Sequence, residues 1–421
     1  MRLTNGRRLF RVDLRALCLT CLCLLAPGVA VALEAVHNAC QAGGVIRFAT
    51  FNVFLNRPTL GELGRDLAAG DPQARAVARI IQAVRPDVLL LNEFDFDASG
   101  EALQRFVQSY LEQPQDGGTP IAFPYRFLAP SNTGIAAQID VDGDGTISLP
   151  ADAYGYGKFP GQYAMALLSR YPIQEDRVRT FQRFLWRDMP GALLPDDPST
   201  PQPGDFYSAT ELEAFRLSSK SHWDVPVMIG AQPVHVLAAH PTPAIFDGPE
   251  DHNGRRNHDE IRLWADYINA RGYLYDDNKL AGGLAHPSRF VIMGDYNADP
   301  QDGDSFPGAI AQLLADPLVN AERVPLSRGG VIAAALDRDT PPHTGDPAAD
   351  TSDFSQNLRI DYVLPSHWGL SIVQGGVFWP RPDDPLYALV GDGDPVVSSD
   401  HRLVWQDFRL TDCAPGVQSA P

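Results

Sequence analysis

The amino-acid sequence predicts an α/β fold in which two β-sheets pack together and helices lie outside them. Three observations lead there. Apolar runs of strand length outnumber stretches with helical periodicity, the loops between them are long and rich in Pro and Gly, and no repeat or low-complexity linker divides the 421 residues. With 44% apolar and 20% charged residues the chain can bury one large core, so a single domain spanning about residues 40–413 is expected, with 414–421 as a short tail.

The first 32 residues read as a cleavable export signal. Arg7, Arg8, Arg11 and Arg15 precede an apolar run from Ala16 to Ala26, followed by Pro27 and the small-residue site Ala30-Val31-Ala32. The run is shorter than the ~20 residues a spanning helix needs, so no transmembrane anchor is expected and the protein reads as secreted or periplasmic. Three of the five cysteines leave with this segment. Cys40 and Cys413 remain, one just before the first strand candidate and one just after the last, and in an exported protein they form a candidate disulfide. Two free thiols are the alternative. Removing the segment's net +4 from −18 leaves −22, a balance that disfavours loose electrostatic attachment to nucleic acid while leaving room for a local basic cleft.

Strands are predicted at Ile46–Val53, Asp87–Asn92, Tyr163–Ser169, Val225–Ile229, Val234–Ala239, Phe290–Met293, Ile360–Leu364 and Arg402–Leu410. Helical periodicity is clearest at Pro72–Val84, where Val77, Ile80, Ile81 and Val84 share a face, and at Asn257–Ala270, where Ile261, Trp264, Ala265 and Ile268 do. A third helix is expected after Ser305, through Ala309, Ile310 and Leu313.

Polar residues sit at the ends of these apolar runs. The run Phe290–Met293 stops at Gly294, and Asp295 and Asn297 follow, two apart, so a continuing extended backbone would send both side chains from one face. A carboxylate there can take a proton from water while the amide holds the water or a phosphate oxygen. Other runs lead to Asn52, Glu93, His240 and Asp361, and Asp400-His401 opens the last strand, as it should if that strand runs opposite to the first. Each residue alone has a bland account as a turn, a cap or a satisfied buried group, although Glu93, ending an apolar run, pays desolvation unless it is paired or binds metal. Six in order, separated by scaffold, are hard to reach by accident.

The series Asn52, Glu93, His240, Gly294-Asp295-Tyr296-Asn297, Asp361-Tyr362 and Ser399-Asp400-His401 resembles the endonuclease/exonuclease/phosphatase superfamily, the deoxyribonuclease-I-like group, over about Val45 to Leu410. The resemblance implies a four-layered α/β sandwich, two facing and mainly antiparallel sheets flanked by helices, with the site at one end of the sheets. It further implies hydrolysis of a phosphoester assisted by a divalent metal. Carried over, the metal position falls on Glu93, with Asn52 and Asp400 around the same ion or its waters, and oxygen ligation suits Mg²⁺ or Mn²⁺. Asp295 would orient or deprotonate the attacking water, Asn297 would hold the phosphate, His401 kept protonated by Asp361 would donate to a phosphoryl oxygen, and His240 would face the leaving group as donor or general acid. Asn92 stands where much of the family has Gln, and Phe54 where several members have a polar residue, which leaves the substrate class open.

Two stretches lie outside that series. Ile139–Asp152 matches the first half of a calcium loop: Asp140, Asp142, Asp144 and Gly145 are in place, Thr146 would give a carbonyl and Ile147 would point inward. Position twelve is Ala151, with Asp152 following, and no flanking helices are evident. A bound Ca²⁺ would stiffen the loop leading into Gly161-Gln162-Tyr163. The second stretch, His240–Glu260, is a long loop opening a helix, and the superfamily layout would bring Arg255, Arg256 and His258 near the scissile group as substrate contacts, with Lys220, Ser221 and His222 lining the same cleft.

The expected function is that of an exported, metal-dependent hydrolase of a small or lipid-derived phosphoester, working as a monomer. A secreted nuclease is the alternative within the same chemistry, and a calcium-stiffened extracellular binding protein with a vestigial site is the alternative from another class.

Overall fold

In the computed structural model, residues 44–336, 343–354, 356–391 and 395–411 are described. The segment read as an export signal, Cys40 and Cys413 with the disulfide expected between them, and the tail all lie outside the described residues. Eleven strands appear among those described: β1 (Ile46–Leu55), β2 (Val88–Phe94), β3 (Tyr125–Phe127), β4 (Met165–Ser169), β5 (Arg179–Thr180), β6 (His222–Ile229), β7 (Gln232–Ala239), β8 (Arg289–Asp295), β9 (Asp361–Pro365), β10 (Leu370–Val377) and β11 (Val404–Leu410). The helices are α1 (Glu62–Ala69), α2 (Pro72–Val84), α3 (Glu101–Phe106), α4 (Ala209–Leu212), α5 (His252–Ile268), α6 (Ala311–Leu314) and α7 (Arg328–Leu336).

The strands form two mixed sheets. One has the order β10-β11-β1-β2-β4-β3 and the other β5-β6-β7-β8-β9. Only β1/β2 and β7/β8 run parallel; the remaining neighbours are antiparallel. Two parallel pairs matter for function, because each puts the C-terminal ends of adjacent strands at the same edge.

Strand alternation sorts the side chains into layers. From β7, Val234, Val236 and Ala238 join a core shared with the first sheet, whereas Leu237 and Ala239 point the other way, to Ile261 and Trp264 of α5. In β8, Val291 and Met293 face the first sheet, and Phe290 and Ile292 face α5. On the opposite side of the first sheet, Leu63, Leu67, Val77, Ile80, Ile81 and Phe106 of α1–α3 complete the shared core. The order is helix, sheet, sheet, helix, the four-layered α/β sandwich expected.

Helix α2 starts on Asp71, whose carboxylate accepts from Ala74 N at 2.7 Å, with Pro72 at the first position, so both ends match the sequence-based reading. Helix α5 starts earlier than expected, at His252, and the helix expected after Ser305 shrinks to the single turn α6. Strands β3, β5 and β10 carried no usable sequence signal. In β10 the pair Gly375-Gly376 interrupts the apolar pattern, because Gly376 lies against the Trp405 ring, where an added Cβ would come within 3.1 Å of it.

Candidate active site

At the catalytic edge the two sheets are tied by side chains. Asn52, near the end of β1, donates its amide to Asp295 Oδ2 at the end of β8 at 3.1 Å, and both residues are buried. The parallel pairing that aligns Asn52 with Asn92 places Glu93 one residue further on, at the same edge. Asn92, the departure noted above, accepts from Thr50 Oγ1 at 3.1 Å and points its amide at Ala239 O of the other sheet, 3.5 Å away, so it serves packing between sheets.

The edge is sharpened by backbone geometry. Gly294 adopts φ 152°, and a Cβ there would lie 1.9 Å from Ala239 O, so only glycine lets β8 run this close to β7 before the chemistry begins. Glu93 and Asn297 are held left-handed, with φ of 56° and 48°, a conformation that costs of order 1–3 kcal/mol in a non-glycine residue and recurs at working sites. The extended continuation expected through Asp295-Tyr296-Asn297 is therefore absent. Instead the Asn297 N–H turns back to Asp295 Oδ1 at 3.0 Å, and its amide donates to Pro241 O at 3.1 Å. Asn297 still lies beside Asp295, but through a turn.

Asp361 opens β9, directly across from Asp295 in the antiparallel pair, and receives the His401 ring: Nδ1 donates to Asp361 Oδ2 at 2.8 Å. Thr351 Oγ1 donates to the same oxygen at 2.8 Å. His401 Nε2 lies 3.7 Å from Asp295 Oδ2, and His240 Nε2 lies 3.4 Å from that oxygen. Burial opposes charge on His401, but Asp361 and Asp295 outweigh it and raise the imidazole to about 10. It is an imidazolium at neutral pH. His240 goes the other way: burial, then the charges of Lys220 and His401, hold it well below its ordinary value, so it is neutral. Of the two roles considered for His240, a neutral ring suits hydrogen-bond donation and not proton delivery as a strong acid. Burial, with the Asp361 charge, raises Asp295 to about 6, against the pull of His401 and of the hydrogen bonds from Asn52 and Asn297.

Asp295, Asp361 and His401 come within 4.8 Å of one another and by proximity alone could be taken for a metal cluster. Their hydrogen bonding argues otherwise, since an imidazolium whose Nδ1–H is committed to Asp361 is not a ligand. Glu93 and Asp400 fit a hard cation better. Burial raises Glu93, His401 and the Asn52 amide oppose that rise, and Asp400 and Asp295 add to it. Among the described residues neither Glu93 nor Asp400 has an Arg or Lys at ion-pair distance, so acidic charge gathers here without a side-chain counter-ion of its own. Asn52 Oδ1, Glu93 and Asp400 offer the all-oxygen set that Mg²⁺ or Mn²⁺ takes. Asn56 Nδ2 holds Glu93 Oε2 at 2.8 Å, and Ser399 Oγ donates to Asn52 O at 2.6 Å.

Several expected contacts fall elsewhere. Arg256 is buried and spent on backbone carbonyls, donating to Leu217 O at 2.8 Å, Arg216 O at 3.1 Å and Tyr154 O, with Phe215 beneath its guanidinium. It ties the segment at Tyr154 to the Arg216-Leu217 segment and is not a substrate contact. Arg255 reaches Leu194 O at 3.4 Å and lies over Phe306, and His258 pairs with Asp259 at 3.0 Å and also packs on Phe306, so neither joins the catalytic cluster. His222 is likewise structural, bonded to Ser218 Oγ at 2.7 Å and to Glu260 O at 2.8 Å.

In the 139–152 loop, Asp140, Asp142 and Asp144 do gather. Asp152 does not join them: it is buried and accepts from Val141 N and Ser148 N, both at 2.5 Å, pinning the loop from inside. Ile147, expected to point inward, is 58% exposed.

Thr351, Ser399, Asn56 and Glu260 were not assigned roles from sequence. Ser399 adjoins the Asp400-His401 pair and Asn56 lies four after Asn52, so proximity to the motifs was the available signal; Thr351 sits in a loop with none.

The Endonuclease/Exonuclease/phosphatase family matches residues 49–401. The chain belongs to that family. Its members' chemistry makes this protein a metal-dependent phosphoester hydrolase. Among solved structures, an endonuclease/exonuclease/phosphatase from Beutenbergia cavernae is similar at 17% identity, with 87% of this chain and 72% of that one covered and a TM-score of 0.43. Beta toxin from Staphylococcus aureus is similar at 14% identity (86% and 99% covered, TM-score 0.42), and sphingomyelinase C from Streptomyces griseocarneus at 14% (86% and 99%, TM-score 0.39). No curated protein matches.

Proposed function

We propose that this family member is an exported hydrolase of a small or lipid-derived phosphate ester, secreted or periplasmic, in which water attacks phosphorus beside one divalent ion. The observation that carries the reading is the Asn52–Asp295–His401–Asp361 chain of contacts at the shared edge of the sheets. Asp295, raised toward neutrality, is a base with the right strength to orient water and accept its proton. The His401 imidazolium donates from Nε2 to a phosphoryl oxygen as negative charge builds there. Asp361 holds the ring in the charged form and fixes its direction. Asn297 and the neutral His240 supply further donors beside Asp295. A Mg²⁺ or Mn²⁺ ion held by Glu93, Asp400 and Asn52 would polarise the phosphoryl oxygen. Away from the site, a Ca²⁺ ion on Asp140, Asp142 and Asp144 would serve structure and not chemistry.

A screen of sphingomyelin, inositol phosphates, aryl phosphates and plasmid DNA in Mg²⁺ or Mn²⁺ tests the reading. Release of phosphate or phosphorylated product that EDTA abolishes and Glu93→Gln removes supports it. Nicking of plasmid with no cleavage of the small esters would move the substrate to nucleic acid, and no cleavage of any ester would return the chain to a binding role.

A further inference from the structure

One buried cation at this edge is not used by the proposed chemistry. Lys220 lies two residues before β6, whose first residue His222 pairs with Ala239, so it flanks the turn that begins with His240. Its backbone is fixed from three directions. Asn132 N donates to Lys220 O at 2.8 Å, Ser219 Oγ donates to His240 O at 3.4 Å, and Gly155 passes so close that a Cβ there would stand 1.8 Å from Ser219 O. The buried carboxylate of Glu260 binds Ser219 N at 2.6 Å through one oxygen and Thr242 N at 2.7 Å through the other, clasping the Lys220 segment to the turn that Asn297 also grips through Pro241 O.

Lys220 as a residue is 7% exposed, its ammonium nitrogen is not fully enclosed, and among the described residues the ammonium has no hydrogen bond and no carboxylate within ion-pair distance. A buried ammonium in that state is costly, and a protein keeps one where an anion completes it. Burial lowers its proton affinity, and the charges of Glu260, Glu93 and Asp295 act against that. Two of these three belong to the catalytic edge. Glu260, engaged by Ser219 N, Ser219 Oγ and Thr242 N, leaves the ammonium's donors unspent.

We propose that the Lys220 ammonium binds a non-bridging oxygen of the substrate's phosphoryl group, alongside the His401 imidazolium, with Glu260 as the residue that positions its segment. The assignment rests on the phosphoester reading above. It makes the site one that selects for anionic phosphoryl or phosphate groups through a protein cation as well as through a metal.

Isothermal titration of the full chain in Mg²⁺ with inorganic phosphate as the probe tests it. Lys220→Gln should weaken phosphate binding by roughly tenfold to a hundredfold, and Lys220→Arg should restore most of it. Mg²⁺ affinity measured without phosphate should be unchanged or tighter in Lys220→Gln, since a positive charge beside Glu93 and Asp295 is gone. Equal phosphate affinity in wild type and Lys220→Gln, with only a lower melting temperature, would make Lys220 a charge balance for Glu260 and overturn the assignment. If the neutral variant does not fold, acetylation of wild-type Lys220 followed by mass spectrometry decides: phosphate with Mg²⁺ should protect the ammonium, and undiminished labelling overturns the proposal. EDTA-sensitive ester cleavage by the wild type separates the two levels. Its absence removes the hydrolase reading itself, whereas its presence with Lys220-independent phosphate binding removes only this assignment.

Discussion

Asn52 and Asp295 meet across the two sheets at 3.1 Å, and their hydrogen bond fixes where the carboxylate proposed as the base points. Asn52 is itself fixed, since its backbone carbonyl accepts from Ser399 Oγ at 2.6 Å and its side-chain oxygen accepts from Phe54 N at 3.2 Å. Asn52→Ala therefore frees Asp295 to rotate away from the water. We expect kcat to fall by on the order of a hundredfold in steady-state assays with the best ester, with the fold intact by circular dichroism. An activity within twofold of wild type would mean that Asp295 does not depend on Asn52.

Asp361→Asn removes the charge that keeps His401 an imidazolium and allows the ring to turn. The proposed donor then loses both its proton and its aim. A fall in kcat of roughly 10²- to 10⁴-fold is expected, with Thr351→Ala showing a smaller loss because it removes only one hydrogen bond to Asp361. Equal effects of the two substitutions would contradict the charge argument.

Among the described residues neither Glu93 nor Asp400 has an Arg or Lys at ion-pair distance, so a divalent ion should stabilise the folded chain as well as activate it. At about 100 times its Kd, Mg²⁺ adds about 2.7 kcal/mol, visible as a rise in melting temperature that EDTA reverses. Glu93→Gln should abolish most of that rise. A Mg²⁺-dependent shift that survives Glu93→Gln would place the ion elsewhere.

The fold and the polar edge were legible in sequence for one physical reason: an apolar run that stops at a polar residue marks both a buried strand and the point where it meets solvent or ligand. Asn52, Glu93 and Asp295 announce themselves this way, whereas Asp361 opens β9 and His401 stands three residues before β11 begins at Val404, and their strands converge at the same edge. Residues placed by long-range packing did not. Arg256 looked like a phosphate ligand because a guanidinium at a helix start is ambiguous, and the carbonyls that consume it come from residues 154, 216 and 217, far away in the chain. Asp152 looked like a displaced calcium ligand, but its neighbours Val141 and Ser148 curl their N–H groups onto it. Asn297 kept its place beside Asp295 although the backbone between them turns.

Because Arg256 spends its donors on three carbonyls of two separate segments, its removal should be felt in stability and not in substrate affinity. Arg256→Ala leaves a cavity and three carbonyls short of a donor, for a loss of roughly 2 to 4 kcal/mol in urea denaturation. KM for the best ester should change little in the fraction that remains folded. A large KM increase at unchanged stability would restore Arg256 to the substrate site.

His222 gives the chain a pH dependence of stability that is separate from catalysis. Burial between Ser218 and α5 lowers its imidazole to about 4, although the Glu260 carbonyl favours the proton. In the unfolded chain a histidine titrates near 6.5. The unfolded state therefore binds the extra proton first as pH falls, and the His222 contribution, complete above about pH 6.5, is lost through the window down to about 4, by about 3 kcal/mol in all. His222→Gln, which cannot titrate, should be less stable than wild type near neutrality yet lose less on acidification. Urea denaturation at about pH 7.5 and about pH 5 should show wild type losing roughly 2 kcal/mol more than the variant between the two. Parallel losses in the two proteins would mean that the ring is protonated in the folded state as readily as in the unfolded one.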